Sequence, residues 1–272
     1  MVERLSTIKM DFEDAILLFG RTEVIANQLR QCSQVKNLLR IEEAVHQGDP
    51  DKIARPEALD LEAECADLII APLTLHWSND LPGTLIQLRR SLRPNGLLLA
   101  SLPGPDTLHE LRQCLLQAES DLLGGAANRV DPFTDIRDAG GLLQRAGFSI
   151  PVVDQDVVTV RYDSAFDLIG DLRNFGATLH LRDAGNPMLS REIVARMAQI
   201  YSEQFCDPDG RIRATFSTIS MSGWAPHESQ QKPLRPGSAK TRLADALNVE
   251  EIKLKKCNYS ATLFLLPLGA TI

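Results

Sequence analysis

The feature that most constrains this chain is the alternation of strand and helix signals through its first 150 residues. An apolar run at 15–19 reads as a buried strand, and 22–31 reads as a helix. "VKNLLRIEE" supplies a second strand near 35–41 with acidic residues at its end, and "ADLIIAPL" (66–73) a third. "DLPGTLIQLRRSLRPNG" predicts a helix with Pro82 in its first turn and a stop at Pro94-Asn95-Gly96. "LLLASL" (97–102) is the next strand, and "DTLHELRQCLLQAESDLLGG" is an amphipathic helix ended by paired glycines. "FTDIRDAGGLLQRAGF" predicts a helix capped by Thr134 and stopped at Gly147. "IPVVDQDVVTVRY" predicts two short strand segments, antiparallel at an edge. Alternation of this kind implies an α/β fold: a doubly wound, mostly parallel sheet with right-handed crossovers. Beyond about residue 163 the rhythm changes. Helical segments come near 164–175 and 190–206, followed by the β-rich "IRATFSTISMSGW" and then "APHESQQKPLRPGSAK", which reads as an ordered loop or extended arm. No internal repeat is present.

Composition removes several classes of function. With 44% hydrophobic and 24% charged residues, the 272-residue chain is ordinary for a globular protein. Its net charge of −7 gives no basis for a nucleic-acid partner. Cys32, Cys65, Cys114, Cys206 and Cys257 are scattered without zinc or redox spacing, which suits reduced thiols. His46, His109, His180 and His227 show no metal-ligand spacing, so no metal site is expected. The start, "MVERLSTIKMDFEDA", lacks a signal-peptide core, and the longest apolar run, "ATLFLLPLGATI", is about half of what spans a bilayer. No transmembrane segment is therefore expected. Asn258-Tyr259-Ser260 matches a glycosylation sequon without a secretory context to use it.

The junction "AILLFGRTEVIANQL" is where chemistry is first expected. In doubly wound folds the first strand ends in a glycine-rich turn, and the next helix points its N-terminus at the ligand. Here that turn is Phe19-Gly20-Arg21-Thr22-Glu23. Ligands also bind outside the carboxyl ends of the other strands. His76, Trp77, Asn79 and Asp80 after the 66–73 strand are therefore pocket candidates, with Asp80 also placed to cap the following helix. His76 is the best candidate for general acid/base work, because an imidazole titrates near neutral pH. Asp135 and Asp138 suit the first turn of a helix, near Asp131 and Arg137.

Three stretches together resemble one family. They are "DLIIAPLTLHWSNDLPGTLIQLRRSLRPNGLLLASLPGPDTLHELR", "GGAANRVDPFTDIRDAGGLLQRAGFSIPVVDQDVVTVRYDSAFDLIGDLRNFGAT" and "GWAPHESQQKPLRPGSAKTRLADAL", within roughly 11–248. They look like class I S-adenosylmethionine (SAM) methyltransferases, in the subgroup of the mitochondrial complex I assembly factor related to the biotin-pathway methyltransferase. The resemblance implies a seven-stranded, Rossmann-like sheet with an antiparallel last strand and a C-terminal extension. It divides the chain into a core (1–162), a family-specific extension completing the same domain (163–248) and a tail whose status stays open (249–272). It implies SAM as cofactor, with Gly20, Thr22, Glu42, Leu73, His76 and Trp77 around it. Glu42 or Glu43 would hold the ribose hydroxyls; the sequence does not choose. It also implies a protein substrate, a complex I subunit, in the bacterial cytoplasm or on the mitochondrial matrix side.

The departures are local. The family's first turn resembles D-x-G-x-G-x-G, and this chain has Leu17 at the acid and Phe19, Arg21 and Glu23 at the glycines. Arg55 falls near an acidic position, and Pro105 replaces a glycine. Side chains at the three glycine positions would crowd a cofactor that needs close backbone approach. Weak or absent SAM binding is therefore expected. Hydroxylation, the reaction ascribed to the mitochondrial relative, is not explained, since no iron facial triad or flavin motif is legible. The alternatives are a malonyl-carrier-protein-type carboxyl methyltransferase and a non-catalytic assembly chaperone that has lost SAM binding.

Overall fold

The computed structural model describes residues 1–45, 48–127, 129–130, 133–177, 189–231 and 245. Residues 1–230 form one compact unit. The remainder, 231–272, falls to a second unit of which only Gln231 and Asp245 are described. The expectations on His46, Asp131, His180, residues 232–240, Cys257 and the sequon lie outside the described residues.

Among the described residues the strands are β1 (Phe12–Leu18), β2 (Val35–Glu42), β3 (Lys52–Ile53), β4 (Ala66–Ala71), β5 (Leu92–Pro103), β6 (Ser149–Tyr162) and β7 (Ile212–Trp224). They make one sheet in the order β3-β2-β1-β4-β5-β7-β6. β1 is parallel to β2 and β4, and β4 to β5, while β7 runs antiparallel between β5 and β6. The doubly wound sheet with its antiparallel last strand is as expected. The chain order reverses between β1 and β4, and that is where a crevice opens in such sheets.

Both faces of the central strands are apolar, so β4 buries every second residue on opposite sides. Leu68 and Ile70 pack with Ala26 and Leu29 of helix α2 (Glu23–Gln31) and with Leu5 of helix α1 (Val2–Ser6). Ile69 and Ala71 pack with Leu85 and Leu88 of α3 (Leu81–Ser91) and with Leu142 and Leu143 of α5 (Ile136–Arg145). A third core joins α4 (His109–Leu123), α6 (Ala165–Asn174) and α7 (Arg191–Gln204) to the start of β7, through Cys114, Leu168, Met197, Tyr201 and Ala214. This helical lobe stands over the C-terminal end of β5.

Three local expectations are corrected. The 150–162 stretch is a single strand, because Asp154 and Asp156 are on an edge strand where Arg4 of α1 pairs with both. Pro151 is accommodated there at a register shift between Ser149 and Val152. The cap of α5 is Asp135 rather than Thr134; its carboxylate accepts from the Asp138 N–H. Helix α3 stops at Ser91, ahead of Pro94-Asn95-Gly96, because Leu92 already pairs with Ala66. The ladder shifts register between Ala66 and Leu68, and Asn95 takes a left-handed φ of 63°. Gly223 and Trp224 end β7, in agreement with the β-rich reading of 212–224; a Cβ on Gly223 would stand 2.9 Å from Phe148. Among the described residues, no helix is long and apolar enough to cross a membrane.

Candidate functional site

The turn after β1 keeps a glycine-type backbone without the glycines. Phe19 and Arg21 hold φ of 53° and 56°, in the left-handed region that a Cβ disfavours. Phe19 is pinned because its N–H donates to Ile41 O at 2.7 Å and its ring is buried in the sheet core. Leu17, at the acid position, is fully buried on the opposite face of the sheet. Thr22 precedes α2 at its N-cap position without a side-chain cap bond.

Glu42, at the end of β2, is 1% exposed. Both its oxygens accept the Arg21 backbone N–H at 3.1 Å, and Oε1 accepts Arg40 Nε at 2.8 Å. Arg40 is wholly buried, and its Nη1 also reaches Glu23 Oε1 at 3.4 Å. Glu23 is therefore turned to Arg40. Among the described residues Arg40 Nη2 has no hydrogen-bond partner. Of the two acids left open by the sequence, Glu42 is internal and Glu43 exposed. Arg55 forms a backbone bridge with Ala58.

Across the crevice, β4 ends at Pro72-Leu73. Leu73 has φ 49°, is 45% exposed and donates its N–H to Ser101 Oγ at 3.0 Å. A short 3-10 turn at Leu75–Trp77 then sets His76 against Trp77, with ring centroids 4.6 Å apart and planes tilted by 47°, and Phe133 edge-on to His76 at 6.2 Å. Asp80 caps α3, its Oδ1 accepting from Gly83 N at 2.9 Å, and Asn79 is bound to Glu57.

Leu73, His76 and Trp77 line a cavity of about 290 Å³, closed by Leu108 and Leu111 from the lobe and by Phe175 beyond α6. Its polar lining includes Thr107, whose hydroxyl donates to Ser217 O at 2.7 Å, and Arg129, whose guanidinium pairs with Glu119 at 2.7 Å. The structure thus brings Leu73, His76 and Trp77 together on the cavity, and puts Gly20, Thr22 and Glu42 on the opposite lip of the crevice. The link between the two groups is Arg21, which sequence reasoning treated only as an obstacle. Its guanidinium carbon lies 3.6 Å from the centre of the Trp77 ring, and Nη1 donates to Phe175 O and Gly176 O at 3.3 and 3.4 Å. Burial pulls its pKa below the usual guanidinium value, against Glu43 and Glu42, which raise it.

A methyltransferase domain matches residues 22–100. The Bacillus halodurans protein BH2331, assigned as a methyltransferase, superposes with a TM-score of 0.54 at 15% identity, over 83% of this chain and 97% of its own. YcgJ of Bacillus subtilis gives 0.53 at 11% over the same shares. These two likenesses speak for the fold. Residues 22–100 are thus a methyltransferase domain, and the sheet has the class I methyltransferase fold. Within that class it is similar to the mitochondrial arginine-hydroxylase NDUFAF5. Identity is 42% with the Dictyostelium discoideum protein over 74% of this chain and 46% of the relative, and 38% with the human one over 69% and 54%. It is also similar to the malonyl-[acyl-carrier protein] O-methyltransferase of Gallionella capsiferriformans, at 33% over 62% and 56%. The chain spans about half the length of these curated relatives.

SAM is the cofactor of this family, and the residues present fit it in part. The left-handed backbone at 19 and 21 follows the course that close cofactor approach requires, and a carboxylate ends β2. Arg21 crosses the crevice, and Glu42 is engaged by Arg40 and the Arg21 N–H, so these side chains must give way for SAM to enter.

Proposed function

We propose that this chain works on a protein partner, receiving one of its side chains in the cavity beside His76 and Trp77. By analogy with its relatives, the partner is a complex I subunit, met in the mitochondrial matrix or the bacterial cytoplasm. The observation that carries this reading is the aromatic cavity at the end of β4, open toward the turn after β1. A largely apolar cavity with few polar groups suits one side chain inserted from a folded surface.

Turn residues 19–22, Glu42 or Glu43, Leu73 and Trp77 would hold SAM, which supplies an electrophilic methyl group when bound. The chain's own residues do the rest. Trp77, Phe133 and Phe175 exclude water and orient the inserted side chain. His76, held by the Trp77 ring, stands at the cavity wall to take or return a proton at an imidazole nitrogen. Thr107 is fixed on Ser217 O and keeps the floor rigid. A carboxyl methyltransferase reading gains little from the site, because the cation lining the cavity, Arg129, is already paired with Glu119. The non-catalytic chaperone reading has one observation in its favour, the crevice bridged by Arg21.

The test is incubation with SAM and the peripheral-arm subunits of the host's complex I, followed by intact-mass measurement. A mass increase on one subunit, lost in His76→Ala and in Trp77→Ala at unchanged melting temperature, is expected. Unmodified subunits that are nevertheless captured by the wild type would leave the chaperone reading in its place.

A further inference from the structure

Helix α4 carries a carboxylate in its buried stripe. Leu111, Leu115, Ala118 and Glu119 follow one another at helical spacing and are all buried, Glu119 to 1% exposure. A glutamate almost never lies that deep unless it is paired. Here both oxygens are engaged by the loop that leaves the helix at Gly124, whose φ is 69°. Oε2 accepts the Ala127 N–H at 2.6 Å, and Oε1 accepts Arg129 Nε at 2.8 Å and lies 2.7 Å from Nη2. Arg129 lines the cavity, and Glu119 lies outside its lining. The pair therefore sets the charge that the cavity wall presents. An arginine stays ionised inside a protein, so by itself it would place a full cation on a largely apolar wall and draw an anion to it. Joined to Glu119 its charge is compensated. A second carboxylate arriving there would meet the first across a single guanidinium, and two such groups sharing one site repel.

We propose that Glu119 is a specificity-determining residue: by neutralising Arg129 from outside the cavity, it refuses groups that carry a carboxylate and admits groups without negative charge. The inference rests on the reading of the cavity as the acceptor site and adds the chemical class that the site rejects. Glu119 touches no acceptor and acts only through Arg129. A residue that merely anchored the 124–130 loop would govern stability and leave the choice of ligand unchanged, so the two roles separate by experiment.

The experiment titrates two ligands of one shape, cyclohexanecarboxylate and cyclohexanecarboxamide, into the full chain by calorimetry at neutral pH and without SAM. Glu119→Gln keeps the side-chain length and an oxygen for the Ala127 N–H while removing the charge. It is expected to bind the carboxylate at least tenfold tighter than wild type does and to prefer it to the carboxamide. The carboxylate should also raise the melting temperature of Glu119→Gln and leave that of the wild type unchanged. Glu119→Gln/Arg129→Gln should lose the gain. A lower melting temperature in Glu119→Gln with no gain for the carboxylate would reduce Glu119 to a loop anchor and overturn the proposal. A gain retained in the double variant, or a wild type that binds the carboxylate as tightly as Glu119→Gln, would overturn it too. If Glu119→Gln stays unfolded even with the carboxylate present, Arg129→Ala is read instead, with cyclohexylmethylammonium as the probe. That variant leaves Glu119 as the uncompensated member, so a tenfold gain over wild type supports the proposal and no gain overturns it. Carboxamide binding by the wild type, lost in Trp77→Ala, reports on the cavity as a site, so failure of that reading is seen separately from failure of this one.

Discussion

The two lips of the crevice differ in opposite ways. On the β4 side the side chains suit a ligand site: Leu73, His76 and Trp77 line a cavity, and Asp80 fixes the helix behind them. On the β1 side the backbone suits a ligand site and the side chains do not. Phe19 and Arg21 hold left-handed angles that a glycine would adopt without strain, while Glu42, Arg40 and Glu23 have turned inward to one another. Backbone course is set by the β1–β2 ladder and by the Phe19 N–H to Ile41 O bond, which do not depend on which side chain occupies the turn.

The largest effect expected on this contrast is at the buried ion pair. Arg40 and Glu42 are 0% and 1% exposed. Arg40→Leu leaves a carboxylate buried with only the Arg21 N–H to satisfy it, which costs about 3–5 kcal/mol. Urea denaturation should show that loss, and the double change Arg40→Leu/Glu42→Leu should recover most of it. A loss under about 1 kcal/mol for the single change would mean that water reaches the pair, and that Glu42 is accessible to a ribose after all.

At the β4 side the expected effects are smaller and more conventional. Asp80→Ala removes the carboxylate that accepts Gly83 N and should cost about 1 kcal/mol in the same assay. An unchanged value would place Asp80 in ligand contact rather than in the cap.

The lobe over the cavity carries a pH signature of its own. Burial, with Glu110 adding to it, pushes the Cys114 thiol up to about 12, and burial also raises the Tyr201 phenol. Both groups are neutral when folded and ionise more readily when unfolded. Their contribution is complete below the unfolded thiol pKa, near 8.5, and is lost as pH rises toward the folded values. The melting temperature should fall between about pH 8.5 and 11, less steeply in Cys114→Ala, and Cys114 should be slow to react with a thiol reagent at pH 8. Rapid labelling of Cys114 in the native chain would show that the lobe opens.

How much of this was legible follows from the range of each interaction. The alternation, the Asp80 cap and the placement of His76 and Trp77 depend on neighbours in sequence, and they could be read. The α5 cap was displaced by one residue because Thr134 and Asp135 are both competent caps, and only the Asp138 N–H chooses. The polar Asp154-Gln155-Asp156 looked like a break in the edge strand because Arg4, far away in sequence, neutralises it. Arg40 was passed over inside "LLRIEE" because its partners are Glu42 on the same strand face and Glu23 on a helix. Arg21 looked like an obstacle and is a bridge, since Trp77 and the 175–176 carbonyls meet it only in the fold. Gly176 was the one available hint, and a glycine after a helix has a commoner explanation as a C-cap.

The smallest stability change, and the one that most sharpens the comparison, is expected for Arg21→Gly. Glycine removes a left-handed penalty of roughly 1–2 kcal/mol but adds backbone entropy to the unfolded chain, about 0.5–1 kcal/mol. It also removes a cation–π contact worth about 0.5–1 kcal/mol at a partly exposed site, and two long hydrogen bonds to Phe175 O and Gly176 O at 3.3 and 3.4 Å, which water replaces at little net cost. These terms nearly cancel, so the melting temperature should stay within about 3 °C of wild type. SAM affinity should nevertheless rise, because the side chain across the crevice is gone and the backbone already has the required course. Phe19→Gly does not offer the same test: its ring is 2% exposed, and deleting it would cost about 3–5 kcal/mol of core packing. Calorimetric titration of SAM into wild type and Arg21→Gly decides the matter. Tighter binding at nearly constant stability would mean that the β1 lip is blocked by one side chain. Equal and negligible binding by both would mean that the Glu42–Arg40 pair, and not Arg21, has removed the cofactor site.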